Sequence, residues 1–279
     1  MVWYHRSLPE EWIRMKIIDA HCHIYPEKIA QKAVECIGEF YHVQMHGLGT
    51  VEDLLAQQRK AGILASIVHS VALRSSNVRA INDFVSEQMR IHPSFIGFAT
   101  MHQDFEDMEA EVERCIALGL KGFKLHPDSQ GVNADDPRLM RLYEIIEGRL
   151  PIILHCGDYR WDNSHPSRIK RILQAFPKLV MNAAHFGGWS LCDLAVEYLE
   201  DESCYMDISS SSVYLGPRRT VELIRIYGAE RILFGSDYPM WDPTEEVERF
   251  MGNKLTETER ELICWKNAER FVGEEISFG

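Results

Sequence analysis

Short β-rich runs recur along the chain, and most end in polar residues. They cover residues 16–24, 66–73, 95–102, 120–126, 151–155, 179–185, 204–209 and 231–237, with starts 50, 29, 25, 31, 28, 25 and 27 residues apart. Apart from the first, each interval fits one strand, one helix and two short loops. Residues 105–117 put Met108, Val112, Cys115 and Ile116 on one helical face behind Asp104 as a cap. Residues 167–176 do the same with Ile169, Ile172, Leu173 and Phe176, after Pro166, and 189–199 and 217–227 complete the alternation. Eight strand–helix units predict a single α/β domain of the (β/α)8 TIM-barrel type over residues 15–279. No glycine-rich phosphate loop follows the first strand, which disfavours a doubly wound sheet.

Two segments stand outside the rhythm. Residues 27–61, with His42, His46 and Gly47-Leu48-Gly49, fill the long first interval and are expected to form an insertion beside the barrel mouth. Residues 1–14 carry Trp3, Tyr4, Pro9 and Trp12 as an N-terminal extension, expected to cap the barrel, pack on a partner subunit or trail as a tail.

The first run, MKIIDAHCHIY, is apolar and then changes character. Strict alternation puts His21 and His23 on one face with Ile17 and Asp19, pointing into the barrel at its C-terminal rim. Later strand ends repeat the chemistry: Lys124 and His126 in GFKLHP, His155 in ILHCG, His185 in AAHFGG and Asp237 in FGSDYP. Barrel enzymes hold their active sites at that rim. Several buried polar groups converging there need a partner, which a divalent metal supplies. Imidazole with carboxylate suits zinc, manganese, iron or nickel, zinc first, better than calcium or magnesium.

Composition narrows the partners. In 279 residues, 46% are hydrophobic and the formal charge is −12, with no basic cluster. That argues against nucleic acid or an anionic membrane and leaves a small-molecule substrate. No apolar run approaches a membrane span and no signal-peptide pattern opens the chain, so a cytoplasmic location is expected. The seven cysteines are scattered without a CxxC pair, as for reduced thiols. A homodimer is the assembly considered.

The motifs DAHCHIYP (19–26), GFKLHPDSQG (122–131), ILHCGD (153–158), AAHFGG (183–188) and LFGSDYP (233–239) resemble, together and in this order, the amidohydrolase superfamily. The resemblance runs from Met15 to about Phe271 and is nearest to the amidohydrolase-related group that includes amino-carboxymuconate-semialdehyde decarboxylase. It implies one metal held by His21, His23, His155 and Asp237. His185 would serve as acid/base or electrophile, or bind a second metal. Lys124 would anchor a substrate carboxylate or, carbamylated, bridge two metals, and His126 would join it at the substrate.

The expected reaction is hydrolysis of an amide, ester or lactone, with metal-activated water as attacking group, Asp237 as general acid/base and His185 stabilising the oxyanion. Non-oxidative decarboxylation of a small unsaturated or aromatic acid is the alternative, and a non-catalytic metal-binding barrel a remoter one. Arg74, Arg79 and Arg160 are candidate carboxylate anchors. Tyr159, Trp161, Tyr238 and Trp241 are candidate pocket walls, each weighed against simple loop packing. The loop Asp207 to Ser212 is expected to give hydroxyl hydrogen bonds or to be a turn.

Overall fold

The computed structural model describes residues 15–276; the extension over residues 1–14 lies outside the described residues. Eight parallel strands appear in chain order: β1 Ile18–His23, β2 Ala65–His69, β3 Phe95–Thr100, β4 Gly122–Leu125, β5 Ile152–Leu154, β6 Met181–Ala183, β7 Met206–Asp207 and β8 Ile232–Leu233. β1 to β6 form one sheet in sequence order, and β7 pairs with β8. Backbone bonds close both seams. Ala183 N donates to Tyr205 O (2.8 Å) between β6 and β7, while Ala20 N to Phe234 O (2.8 Å) and His23 N to Tyr238 O (2.7 Å) join β8 to β1.

The helices are α1 Glu27–Tyr41, α2 Val51–Ala61, α3 Val78–Ile91, α4 Met108–Ala117, α5 Pro127–Gln130, α6 Pro137–Ile146, α7 Pro166–Ala175, α8 Cys192–Leu199, α9 Ser212–Tyr227, α10 Pro243–Met251, α11 Glu257–Glu261 and α12 Asn267–Val272. α4 starts later than expected, because Asp107 rather than Asp104 accepts the Ala110 N–H and caps it. Its Met108, Val112 and Cys115 are buried, whereas Ile116 is exposed. Pro166 occupies the first turn of α7, where a missing N–H costs nothing. α9 begins ahead of residue 217 and kinks at Gly216, the residue before Pro217. Among the described residues no helix is long and apolar enough to cross a membrane.

Apolar side chains fill the barrel floor. Ile18, Ala20, Ala65, Ile67, Ile96, Phe98, Ile153 and Leu233 pack together, and Ala268 and Phe271 of α12 join the same cluster. Phe98 stacks on Phe271 with ring centroids 5.9 Å apart. Gly122 makes room for this, since a Cβ there would lie 2.4 Å from the Phe98 ring. With the floor sealed, the polar strand ends face the other opening.

One sequence expectation about β1 is corrected. The register runs Ile18 to Ala65 and Asp19 to Ser66, then Cys22 to Val68 and His23 to His69, so β1 advances three residues while β2 advances two. This bulge inverts the alternation. Ile18 and Ala20 join the interior cluster, and Ile17, Cys22 and Ile24 join the outer core against the helices. His21 and His23 do point inward, but not on the face of Ile17 and Asp19. Asp19 instead accepts from Ser236 N (2.9 Å), locking β8 against β1.

The long first interval holds α1 and α2. The connecting loop lies against the β8 end, where His46 N donates to Pro239 O (3.0 Å) and Gly47 abuts Tyr238 so closely that a Cβ would fall 2.3 Å from the ring.

Candidate metal centre

At the open end, strand termini aim imidazoles and carboxylates into one cavity of about 810 Å3, lined at its base by His21, His23, Lys124, His126, His155, His185 and Asp237. His21 Nε2 and His23 Nε2 each lie 3.5 Å from Asp237 Oδ1. His185 and Asp237 both have positive φ (61° and 60°), as do Phe186 and Ser210 (53° and 52°). Left-handed backbone on such residues costs about 1–3 kcal/mol apiece and gathers where function fixes a side chain.

Asp207 organises this base. His21 Nδ1–H donates to its Oδ2 (3.0 Å), as does Asn182 Nδ2 (2.8 Å), while Oδ1 accepts from the backbone N–H groups of His185 and Ser209 (3.1 Å each) and from the Ser209 hydroxyl. Burial alone would raise the Asp207 carboxyl; His21 and these donors reverse that and hold it well below the carboxylate range. With Nδ1 committed to Asp207, His21 turns the lone pair of Nε2 into the cavity. A carboxylate behind an imidazole is the usual support of a metal-binding histidine. In this structure a cation already faces that lone pair, with Lys124 Nζ at 3.0 Å. Burial pushes the Lys124 ammonium down to about 8.

A second chain of bonds fixes the other imidazoles. His185 Nδ1 lies 3.0 Å from the Ser209 carbonyl, which can only accept, so in the neutral ring Nδ1 carries the proton. His185 Nε2 then accepts from His155 Nδ1 at 3.0 Å, and the buried His155 Nε2, without a hydrogen-bond partner, faces Asp128 Oδ2 at 3.6 Å. His185 can therefore act as an electrophile only as the imidazolium. His126 stacks on His155 (3.8 Å between centroids) and meets the Tyr41 hydroxyl at 2.6 Å through Nε2. Asp237 accepts from the Ser210 hydroxyl, which in turn accepts from Trp241 Nε1 (2.8 Å). Burial favours a protonated Asp237, but the imidazoles of His21, His23 and His185 outweigh it and hold the carboxyl well below its ordinary value.

The donor set fits a divalent transition metal. Imidazole nitrogens and a carboxylate oxygen converge, and buried nitrogens of His23 (Nδ1), His155 (Nε2) and His69 (both) have no hydrogen-bond partner. Leaving such groups unpaired costs roughly 1–3 kcal/mol each, and a bound metal ion would take the lone pair of one nitrogen on each imidazole that it reaches.

Several residues suggested by the sequence stand elsewhere. Arg74 is exposed on the loop after β2, outside the cavity lining. Arg79 pairs with Glu111 at 3.4 Å. Arg160 forks onto Asp158, donates to the Phe40 carbonyl, and lies 5.0 Å from the Phe40 ring and 5.4 Å from that of Tyr41, so it clamps α1 rather than anchoring substrate. Tyr238 is fully buried and donates to Asp53 Oδ2 (2.6 Å), holding the insertion. Trp241 supports Ser210 rather than lining the cavity. Tyr159 and Trp161 are exposed, Trp161 stacking on Phe40. Conversely, sequence reasoning passed over His69, the last residue of β2, and Tyr41, inside the insertion. It saw Asp207 only as the head of a polar loop, although its place at a strand end was the available signal.

Fold and site together define a (β/α)8 barrel whose C-terminal rim gathers a histidine–aspartate donor set that fits a divalent metal. The chain belongs to the amidohydrolase family: the family model described as "Amidohydrolase" matches residues 18–273. No curated protein matches the chain. Among solved structures it is similar to 2,6-dihydroxybenzoate decarboxylase complexed with 2,6-dihydroxybenzoate, with 19% identity over 93% of this chain and 99% of that one (TM-score 0.74). It is also similar to a dihydroxybenzoic acid decarboxylase from Polaromonas sp. JS666 with bound manganese and 2-nitroresorcinol (19% identity, 93% and 97% covered, TM-score 0.73). A third is 5-carboxyvanillate decarboxylase from Sphingomonas paucimobilis (16% identity, 94% and 100% covered, TM-score 0.72).

Proposed function

We propose that the protein is a metal-dependent, non-oxidative decarboxylase of a small aromatic or unsaturated carboxylic acid. The observation that carries this reading is the contrast inside one cavity. Its base is polar, whereas its walls are mainly apolar, with Ile37, Phe40 and Tyr41 of α1 and Ile81 and Phe84 of α3, and Lys28 and Lys32 of α1 also line it. Apolar walls suit a flat ring. The similar solved structures named as decarboxylases, one of them with manganese, support the same choice over hydrolysis.

His21, His23, His155 and Asp237 would hold one divalent metal, zinc or manganese. When bound, that metal supplies a Lewis acid for oxygen atoms of the substrate. Asp237 rests as the anion, so with a hydroxy acid it first takes the proton of the substrate hydroxyl and then delivers it to the carbon that bears the carboxylate, and the hydroxyl oxygen regains a proton from water as the product leaves. As the new C–H bond forms, the C–C bond to the carboxylate breaks. Its electron pair restores the conjugated system and CO2 departs. Lys124, deep and cationic, orients the acid, and Tyr41 with His126 closes the opposite side.

Hydrolysis of an acyl bond draws on the same Asp237 and is the competing reading. The test is metal-loaded protein assayed on hydroxybenzoic and unsaturated acids for CO2, and on amides, esters and lactones for amine or alcohol. CO2 release that disappears in Asp237→Asn supports decarboxylation, whereas amine or alcohol release without CO2 overturns it.

A further inference from the structure

His69 ends β2 beside the metal centre, in register with His23 of β1. Its ring centroid is 4.4 Å from that of His23 and 5.1 Å from that of His21. It is fully buried, and neither Nδ1 nor Nε2 has a hydrogen-bond partner. A histidine kept only for packing is hard to reconcile with this. A neutral imidazole always carries one N–H and one lone pair, and burying both unpaired costs more than an aliphatic side chain of similar volume. By contrast, the other imidazoles deep in the cavity each have a bonded nitrogen: His21 on Asp207, His185 on the Ser209 carbonyl and His155 on His185. A metal would satisfy the lone-pair nitrogen of His69, and the space for one is shared with its neighbours, since one nitrogen each of His21, His23 and His69 lies within 4.8 Å of the other two.

We infer that His69 is a further ligand of the metal held by His21 and His23, so that β2 contributes a donor to the centre alongside β1, β5 and β8. This rests on the metal-binding reading above and deepens it. A β2 imidazole makes the centre richer in nitrogen, which favours zinc, cobalt or nickel over manganese when the ions compete.

The test compares wild type with His69→Leu, which matches volume, and His69→Cys, which keeps a donor atom. All are stripped of metal and titrated with Zn2+ and Co2+ against a competing chelator. The expected result is that metal-free His69→Leu melts no lower than metal-free wild type and binds Zn2+ about 10–100-fold more weakly or worse. Its Co2+ visible absorption should differ in intensity from wild type, and His69→Cys should recover affinity while shifting the spectrum towards thiolate ligation. Unchanged Zn2+ affinity and an unchanged Co2+ spectrum in His69→Leu would overturn the inference. If instead wild type binds no metal, the underlying metal-centre reading fails as well, so the two failures are told apart by the wild-type titration.

Discussion

Asp207 shows how one side chain governs chemistry that it does not perform. By accepting from His21 Nδ1 it decides which imidazole nitrogen faces the cavity, and its other oxygen gathers the backbone of His185 and Ser209. Asp207→Asn keeps the shape but offers Nδ1–H a weaker acceptor and can present an N–H in its place. We expect metal affinity to fall about 10–100-fold, read by chelator competition, with a folded chain by circular dichroism; unchanged affinity would remove Asp207 from this role. Asp237→Asn should lower turnover at saturating metal by about 10²–10⁴-fold, the range for a lost proton-transfer group. Legibility at this scale followed motif context. His21, His23, His155, His185 and Asp237 were marked by abrupt polarity at strand ends, whereas His69 was hidden because the apolar Val71, Ala72 and Leu73 extend the run beyond it and make it look internal, although β2 ends at His69.

At the level of elements, α1 forms one wall of the cavity and is held by few devices. Arg160 forks onto Asp158, donates to the Phe40 carbonyl and covers the Phe40 and Tyr41 rings. Arg160→Ala should therefore raise KM more than it lowers kcat, and should speed hydrogen exchange in residues 37–45 while β4 and β5 stay protected; equal exchange in both proteins would show that the clamp is dispensable. A different linkage ties α4 to α3 and β3. Glu111 is buried, accepts from Asn82 (2.8 Å) and from Arg114, and Asn82 also bonds both backbone groups of Thr100. Burial would raise the Glu111 carboxyl, but Arg114 and Asn82 draw it below its usual 4.5. A carboxyl lowered on folding stabilises above its unfolded value and loses that contribution as acid protonates it. Glu111→Gln should cost roughly 1–3 kcal/mol near neutrality, and its stability should depend less on pH below about 4.5 in acid titrations followed by urea unfolding; an identical acid limb would exclude the linkage. Element type was readable from hydrophobic period, yet the bulge in β1 was not, because DAHCH reads as clean alternation and only pairing with β2 shows the extra residue.

For the whole molecule, a rhythm of 25 to 31 residues between strands made the barrel legible, since local composition repeats with each unit. The way the ring closes was not legible, because it depends on residues some 215 positions apart. The β8–β1 seam has few backbone bonds: Ala20 to Phe234, His23 to Tyr238, and Asp237 N to His21 O at 2.9 Å. At that same seam His21 and His23 of β1 meet Asp237 from the loop after β8. A metal held by these three ties the first strand to the last, so it should act as a structural clasp as well as a catalytic group. Binding that is absent from the unfolded chain stabilises by about 4 kcal/mol when free metal is a thousandfold above Kd. For a chain of this size that corresponds to a rise in Tm of roughly 8 °C. Stripping metal with a chelator should lower Tm by that order and accelerate hydrogen exchange first in residues 18–23 and 233–238, with the floor packed around Phe98 and Phe271 unaffected. A uniform increase across all strands would mean that the metal stabilises the barrel without specifically holding its seam, and an unchanged Tm would remove the clasp altogether.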